Sequence, residues 1–453
     1  MDTIMEPAKS IPVIEEADVC VLGGSCTGVF AAVRAARLGA KVVIVEKQNS
    51  FGGVATSGLV NVWHSLYDNE KRQQIIAGLS YEIIERLKKR DAIIDVEATL
   101  GVNDCNAYRL NTEELKIELD NLILEAKVKP YLHTHYVGVK MGQDAIEAVF
   151  IHNKSGRGAI KAKVYIDATG DGDLCRDAGL HAYTAENMQP PTACAKIYGM
   201  NLLGDFNLPF MLQKHGEEFG LQKDWGWRGK IPGMPEVSMH AETHVFDVNC
   251  AVADMLTYSE MEGRRQVRAV MDLIRKYAPN GKKISLVDLC SYIGIRETYH
   301  IESMYKLKNK DVLYGTRFQD AIANGSYRVD IHHSNEPGIT FRYLNGVEEV
   351  VRGNGMPHEF RRWREETEVN PTYYQIPYRS LVSQKVKNLL MAGRMLDAEE
   401  EAYSAVRVMV NTNQTGEAAG VAAYVSLAQD GDVRNVNAND VRKLLKEGGS
   451  IIL

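Results

Sequence analysis

An α/β fold, in which a parallel sheet carries helices and a separate α+β domain is set into it, is predicted by three features of the sequence. Asp18-Val-Cys-Val-Leu22 is an apolar, β-branched run; Gly23-Gly-Ser-Cys-Thr-Gly28 follows at once, and Val29 to Ala40 has helical composition. Lys41-Val-Val-Ile-Val-Glu46 is a second apolar run, which makes residues 18–46 one βαβ unit of about 30 residues with parallel strand pairing. Near the C-terminus the same style returns after a long stretch of different character. These features divide the chain into a discontinuous domain, 1–185 with 381–453, and an inserted domain, 186–380.

The remaining elements follow in order. Residues 70–90 and 111–127 predict amphipathic helices, the second opened by Asn111-Thr-Glu-Glu114, where a side-chain acceptor can cap free backbone N–H groups. From Val128 to Ala168 the chain is β-rich: Asn153-Lys-Ser-Gly156 predicts a hairpin turn, and Val164-Tyr-Ile-Asp-Ala-Thr-Gly170 a buried strand entering a glycine turn. Residues 186–380 carry Trp225, Trp227 and Trp363, most of the prolines, and a long helical segment near 250–277. Asn388-Leu-Leu-Met-Ala-Gly393 predicts another strand and glycine turn. Gln414 to Leu427 predicts an alanine-rich helix whose small first turns allow close backbone approach.

Composition limits the function. The chain has 453 residues, 45% hydrophobic and 25% charged, enough for about two or three structural units. A net charge of −6 without a long basic run argues against nucleic acid as a partner. No stretch reaches the roughly 18 apolar residues of a membrane span, and the N-terminal segment lacks a secretory apolar core, so a cytosolic location is expected with no membrane partner. The seven cysteines are scattered, without Cys-x-x-Cys pairs or zinc-like His spacing, so neither disulfides nor a metal site is expected.

The turn from Gly23 to Gly28 has dinucleotide-loop spacing. Gly23 permits a tight turn, Gly28 lets the helix approach the strand, and the helix N-terminus faces a pyrophosphate; Ser25 stands where the pattern has its middle glycine. Glu46, at the end of the second strand, is placed to accept ribose hydroxyls. Gly52-Gly53-Val-Ala-Thr-Ser-Gly58 is a second glycine-rich turn.

At these residues the sequence resembles a known group. Val19 to Gly53 is similar to the flavin-binding fingerprint of the glutathione-reductase-like FAD oxidoreductases. The likeness continues in Ile166-Asp-Ala-Thr-Gly-Asp-Gly-Asp-Leu174, Tyr374-Gln-Ile-Pro-Tyr-Arg379, Asn388 to Arg394, and Arg407-Val-Met through Gly416-Glu-Ala-Ala-Gly420. Together these resemble the FAD-dependent oxidoreductase family that includes many bacterial flavoproteins, over nearly the full chain. The resemblance implies a Rossmann-like FAD-binding domain with FAD as cofactor. It implies contacts from Gly23, Ser25, Cys26, Thr27, Gly28, Glu46, Lys47, Gly53, Val54, Ala55, Thr56, Ser57, Val137, Ala168, Thr169, Gly170, Gly393, Thr415, Gly416, Glu417 and Ala418. A helix opening near Thr415 to Ala418 would turn its positive end toward the flavin N1 and C2 carbonyl. Glu417 stands where relatives tend to have Gln, and Asp397 where they tend to have Ser. Cys26, despite its helix N-terminus, reads as a packing residue beside a pyrophosphate and not as a nucleophile.

Absences narrow the class. No Cys follows Gly52-Gly53 to serve as a redox disulfide, no second Gly-x-Gly-x-x-Gly marks an NAD(P) domain, and the fumarate reductase constellation is not visible. The expected activity is therefore that of an FAD-dependent oxidoreductase moving a hydride between a small organic substrate and flavin N5. The alternatives are a monooxygenase using external NAD(P)H and a non-catalytic electron-relay subunit. Proton transfer and substrate binding beside a flavin favour His, Arg or Tyr, and the candidates are His64, Arg296, His333, Tyr374 and Arg407, with Tyr403 and His332 behind them. His64 could alternatively tether the flavin, and Arg296 with Glu297 could be an internal ion pair. Carbohydrates, hydroxy acids and amines all fit as substrates, and a symmetric homo-oligomer suits an enzyme of this size.

Overall fold

The computed structural model describes residues 2–96, 108–224, 226–353 and 356–453; Cys105 and Trp225, named above, lie outside them. The predicted βαβ unit is present. Strand Val13–Leu22 lies parallel to Val42–Val45, with Val19 opposite Val42 and Leu22 opposite Val45, and helix Cys26–Arg37 connects them. The strand starts at Val13, five residues before the apolar run, because its first half pairs with Gly156–Asp167 in spite of carrying Glu15 and Glu16.

A seven-stranded sheet grows from this unit in the order Lys129–Tyr131, Val42–Val45, Val13–Leu22, Gly156–Asp167, Ile146–Asn153, His135–Met141. The long strand Gly156–Asp167 has two partners besides Val13–Leu22. Its first residues form the predicted hairpin with Ile146–Asn153, and its last three lie parallel to Leu389–Met391. Chain from both ends of the sequence therefore meets at the one sheet edge where Asp167 leads into the Ala168–Gly170 turn.

Side-chain alternation assigns the two faces. Val19, Val21, Val42, Ile44, Val164 and Ile166 pack under the helices in one cluster, while Cys20, Leu22, Val43, Val45 and Tyr165 pack on the opposite face. The helical side holds Cys26–Arg37, Leu79–Lys88, Thr112–Glu125 and Met409–Ser426. The helix expected over 70–90 is confined to Leu79–Lys88, preceded by Gly78 at φ 65°, a conformation that does not continue a helix. Asn111 caps the third helix as predicted, its Oδ1 accepting from the Glu113 and Glu114 N–H groups.

The alanine-rich helix starts at Met409, five residues before the expected Gln414. Its small face crosses Cys26–Arg37 at very short range: a Cβ on Gly416 would lie 2.1 Å from the Thr27 carbonyl oxygen, and one on Gly420 2.1 Å from that of Ala31. The four-residue spacing of the two glycines matches that of Thr27 and Ala31, so two backbones run together where any side chain would hold them apart.

Between 186 and 380 the sheets are antiparallel. Trp227–Ile231, Met234–Ala241, Ala195–Tyr198 and Ser285–Leu289 form one, beside the Ala253–Tyr277 helix, and Val329–His332, Ile339–Arg342, Val347–Val351 and Glu359–Arg362 form another. Ala321–Gly325 pairs with Tyr374–Pro377, and Ile322, Tyr327, Val329 and Ile376 of this region join the main helical-side core. Among the described residues no helix is long and apolar enough to cross a membrane.

Candidate functional site

The glycine loop after the first strand is closed by contacts that exclude side chains. Gly23 sits at φ 98°, and a Cβ there would lie 2.3 Å from the Ala168 carbonyl oxygen; on Gly28 it would lie 1.9 Å from the Gly23 carbonyl oxygen. The first loop, the helix behind it and the Ala168–Gly170 turn thus interlock through glycine. Ser25 is the N-cap of Cys26–Arg37, and its Oγ accepts from the Gly28 N–H at 3.4 Å. Glu46 is buried at the end of its strand, where Oε2 accepts from the Gly24 N–H at 2.5 Å and Oε1 from the Gln48 N–H at 2.8 Å. The second turn is tied to the first by the Gly52 N–H donating to the Gly24 carbonyl at 2.8 Å.

One continuous cavity runs along these parts. Gly23, Ser25, Cys26, Thr27, Glu46, Lys47, Gly53, Val54, Ser57, Ala168, Thr169, Gly170 and Gly393 all line it. So do Arg394 and Asp171, which pair at 2.5 Å, Thr298 Oγ1 bridging them. On the far side stand Val408, Met409, Thr412 and Asn413, the opening turn of the Met409–Ser426 helix, which has no side-chain cap. Ser57 Oγ and Asn413 Oδ1 are buried without a hydrogen-bond partner among the described residues. An uncapped helix N-terminus, two orphaned polar atoms and a glycine cradle on a second helix N-terminus are the features that an anionic, hydrogen-bonding dinucleotide would satisfy. The residues present fit such a group.

Beyond Val54 the cavity changes character. Val60, Cys194, Trp227, Ile293, Ile295 and Phe341 make its walls apolar, Arg296, Arg328, Asp330 and Arg407 bring charge to it, and His332 adds an imidazole. Arg296 Nη1 donates to the Pro190 carbonyl at 2.5 Å and to Thr192 Oγ1 at 2.8 Å, and Nη2 lies 3.3 Å from His244 Nε2. His244 Nδ1 is in turn held by Asp224 Oδ2. Burial, and secondarily the Arg407 charge, lower the Arg296 guanidinium to about 10. Arg407 Nη2 donates to Gln189 Oε1 at 3.0 Å and to the Asp330 carbonyl at 3.2 Å, and its Nε is buried with no hydrogen-bond partner among the described residues. His332 Nε2 lies 3.3 Å from Asp330 Oδ1; desolvation first, then Arg296, His244 and Arg407, push its pKa well down, so the ring is neutral at pH 7.

Not every predicted residue reaches the cavity. His64, Arg296 and Arg407 line it, His64 with its ring 4.0 Å from that of Tyr327. His333 does not: strand alternation turns its neighbour His332 inward, while His333 bonds to Thr340 Oγ1. Tyr374 is wholly buried, its single hydroxyl proton shared between the Tyr327 and Ala405 carbonyls, each at 3.2 Å, and its oxygen accepting from Asn411 Nδ2. Glu297 does not pair with Arg296; its carboxylate is taken by His300 and by the Gln189 N–H. Tyr403 is also buried, donating to the Arg296 carbonyl at 2.8 Å.

Several of the residues expected at the cofactor do not line the cavity. Gly28 packs on the Gly23 carbonyl, Ala55 is fully buried, and Thr56 Oγ1 donates to the Phe51 carbonyl at 2.6 Å. Val137 is 43% exposed on the sheet-edge strand His135–Met141. Thr415, Gly416, Glu417 and Ala418 lie in the second and third turns of a helix whose first turn faces the cavity, because that helix begins earlier than its composition suggests. Gly416 packs on Thr27, Ala418 is core, Thr415 Oγ1 donates to the Thr412 carbonyl, and the Glu417 carboxylate is engaged by Arg34 and the Leu79 N–H. Cys26 lines the cavity with its thiol pushed up to about 12 by burial, which agrees with a packing role. The six described cysteines are unpaired and buried.

Residues 18–445 match the family model described as FAD dependent oxidoreductase. A segment of 87 residues is 33% identical to the mitochondrial dihydrolipoyl dehydrogenase of Schizosaccharomyces pombe; it covers 17% of this chain and 17% of that enzyme, so most of that relative's length is unmatched. Similar solved structures include a geranylgeranyl bacteriochlorophyll reductase-like protein of Thermoplasma acidophilum, with TM-score 0.47 and 13% identity over 96% of this chain and 84% of that one. The flavin-dependent brominase Bmp2 has TM-score 0.44 and 11% identity over 95% and 83%. The L-proline dehydrogenase of P. horikoshii has TM-score 0.38 and 13% identity over 68% and 86%.

Proposed function

Because this chain belongs to the FAD dependent oxidoreductase family and FAD is its cofactor, we propose that it moves a hydride between a small organic substrate and the flavin N5. The observation that supports this reading is the shared cavity, in which the glycine cradle at one end is continuous with a compartment of arginines and a neutral histidine at the other. When bound, the isoalloxazine supplies a two-electron acceptor. Gly23, Ser25 and Thr27 would hold its pyrophosphate, Glu46 the adenosine ribose, and Ser57, Asn413 and the opening turn of Met409–Ser426 its ring. The helix's positive end would favour anionic character at that ring.

The chain's own residues do the rest. Arg296 and Arg407 would bind and orient substrate. His332, neutral and backed by Asp330, would accept a proton from it at a ring nitrogen. The apolar walls from Trp227, Ile293, Ile295 and Phe341 would exclude water from the reacting atoms. In this reading residues 1–185 with 381–453 carry the cofactor and 186–380 cover it and select the substrate.

Anaerobic mixing of the purified yellow protein with candidate metabolites tests the proposal. Bleaching of the flavin band by an organic substrate alone supports it. Bleaching by NAD(P)H alone would indicate a monooxygenase, and reduction only through a partner protein an electron relay.

A further inference from the structure

We propose that the compartment beyond the glycine turns is an organic-acid site, in which Arg296 and Arg407 bind the carboxylate of a substrate whose remainder is apolar. The inference rests on the preceding reading only in taking this compartment as the substrate's.

The charge balance is the first argument. Three guanidinium groups, Arg296, Arg328 and Arg407, line the compartment, and Asp330 is the carboxylate lining it with them. The cavity's other carboxylates are committed at the nucleotide end, Glu46 to backbone N–H groups and Asp171 to Arg394. The Asp330 carboxylate accepts from the Tyr327 hydroxyl at 2.5 Å and lies 3.3 Å from His332 and 3.8 Å from Arg407, so it does not reach hydrogen-bond distance of the Arg407 side chain. Two desolvated cations near one another are costly unless an anion joins them. Burial first and Arg407 second lower the proton affinity of Arg296, against the opposing pull of Asp330 and Asp224.

Donor geometry is the second. Both protons of Arg296 Nη1 are used by Pro190 and Thr192, and His244 Nε2, its other nitrogen bound to Asp224, holds Nη2. That backing fixes the guanidinium plane without neutralising it. Arg407 is likewise steered through Nη2 by neutral acceptors, Gln189 Oε1 and the Asp330 carbonyl, while its buried Nε has no partner among the described residues. Guanidinium groups held by neutral partners with a donor left over match the planar, multi-acceptor geometry of a carboxylate.

The surroundings decide the rest of the ligand. Ile293, Ile295 and Phe341 offer no hydrogen-bonding partner to a sugar and Trp227 at most its indole N–H, so most of a sugar's hydroxyls would be buried against them at a cost. A free amino group would meet three guanidinium charges. An acid with an aliphatic or aromatic body satisfies both the charge and the walls.

Matched carboxylate and amide pairs test this on the holoenzyme: acetate, benzoate and 3-phenylpropionate against acetamide, benzamide and 3-phenylpropanamide. Binding is read by perturbation of the flavin spectrum and by calorimetry, neither of which needs turnover. At least one carboxylate is expected to bind ten or more times tighter than its amide, with 3-phenylpropionate above acetate. Arg407→Met and Arg296→Met should each remove that preference while keeping a full complement of flavin. Equal binding of every acid and its amide, or an intact preference in both variants, overturns the proposal, as does loss of flavin from both variants. Acid-selective binding without flavin bleaching by any organic acid or other candidate metabolite would leave the acid site standing and refute the hydride-transfer reading instead.

Discussion

Arg34 and Glu417, 383 residues apart in the chain, form an ion pair of 2.6 Å with both side chains almost wholly withdrawn from solvent. The pair joins the helix behind the glycine loop to the helix whose opening turn faces the same cavity. Ser450 Oγ and the Leu79 N–H complete the carboxylate's shell, so four distant segments meet at one charge.

Removing one member leaves the other buried and uncompensated. Glu417→Ala should cost about 3–5 kcal/mol of stability, read from urea unfolding. Arg34→Met combined with Glu417→Leu removes both charges and should cost clearly less than Glu417→Ala alone. An equal or larger loss in the double variant would mean that the pair contributes packing and not charge compensation.

The Gly420 contact leads to a second expectation. In an ordinary helix Gly→Ala gains about 0.5–1 kcal/mol, yet a Cβ here would stand 2.1 Å from the Ala31 carbonyl oxygen. Backbone cannot yield without separating the helices, so the steric term wins. Gly420→Ala should lower stability by about 1–3 kcal/mol or more by the cost of overpacking, seen as a lower urea midpoint. A stabilised variant would show that the crossing is loose.

Glu46 carries the third. Its carboxylate already accepts from Gly24 and Gln48, which fixes it at the cavity wall. Loss of a charged hydrogen-bonding group is worth about 1.5–3 kcal/mol, so Glu46→Leu should weaken FAD binding by roughly 10- to 100-fold. Flavin release followed by fluorescence measures it, with far-UV circular dichroism confirming the fold. Unchanged affinity would remove Glu46 from the cofactor site.

What the sequence made legible was local. Asn111 caps where Asn-Thr-Glu-Glu says it should, and the strand, glycine loop and helix of 18–46 are contiguous signals of one period each. The small-residue helix announced a close crossing, and Gly416 and Gly420 deliver it, but composition could not show that polar residues Asn411 to Gln414 begin that helix, because their side chains are buried by tertiary packing. The displaced helix start is what moved Thr415 to Ala418 off the cavity. Adjacent His332 and His333 were distinguishable only by knowing which strand face looks inward. Asp171 and Arg394 did carry a signal, each flanking a glycine that lines the same cavity, Gly170 and Gly393. Asp224 and His244, which hold Arg296 from behind, carry no spacing or motif that joins them to it.

His332 supplies a pH prediction whose sign can be worked out. Burial and the neighbouring Arg296, His244 and Arg407 push its folded-state pKa well below the ordinary 6.5, and Asp330 at 3.3 Å does not offset them. Below pH 6.5 the unfolded chain takes up a proton here that the folded chain refuses, so stability falls with falling pH in that window and is fully restored above it. One such group costs about 1 kcal/mol between pH 6.5 and 5.5. His332→Asn has no proton to take up, so its stability should decline less than wild type over that interval, by about that amount, in parallel urea titrations at the two pH values. Identical pH slopes for the two proteins would mean that folding leaves the His332 pKa where it stands in the unfolded chain, and that burial beside Arg296 and Arg407 does not hold the ring neutral.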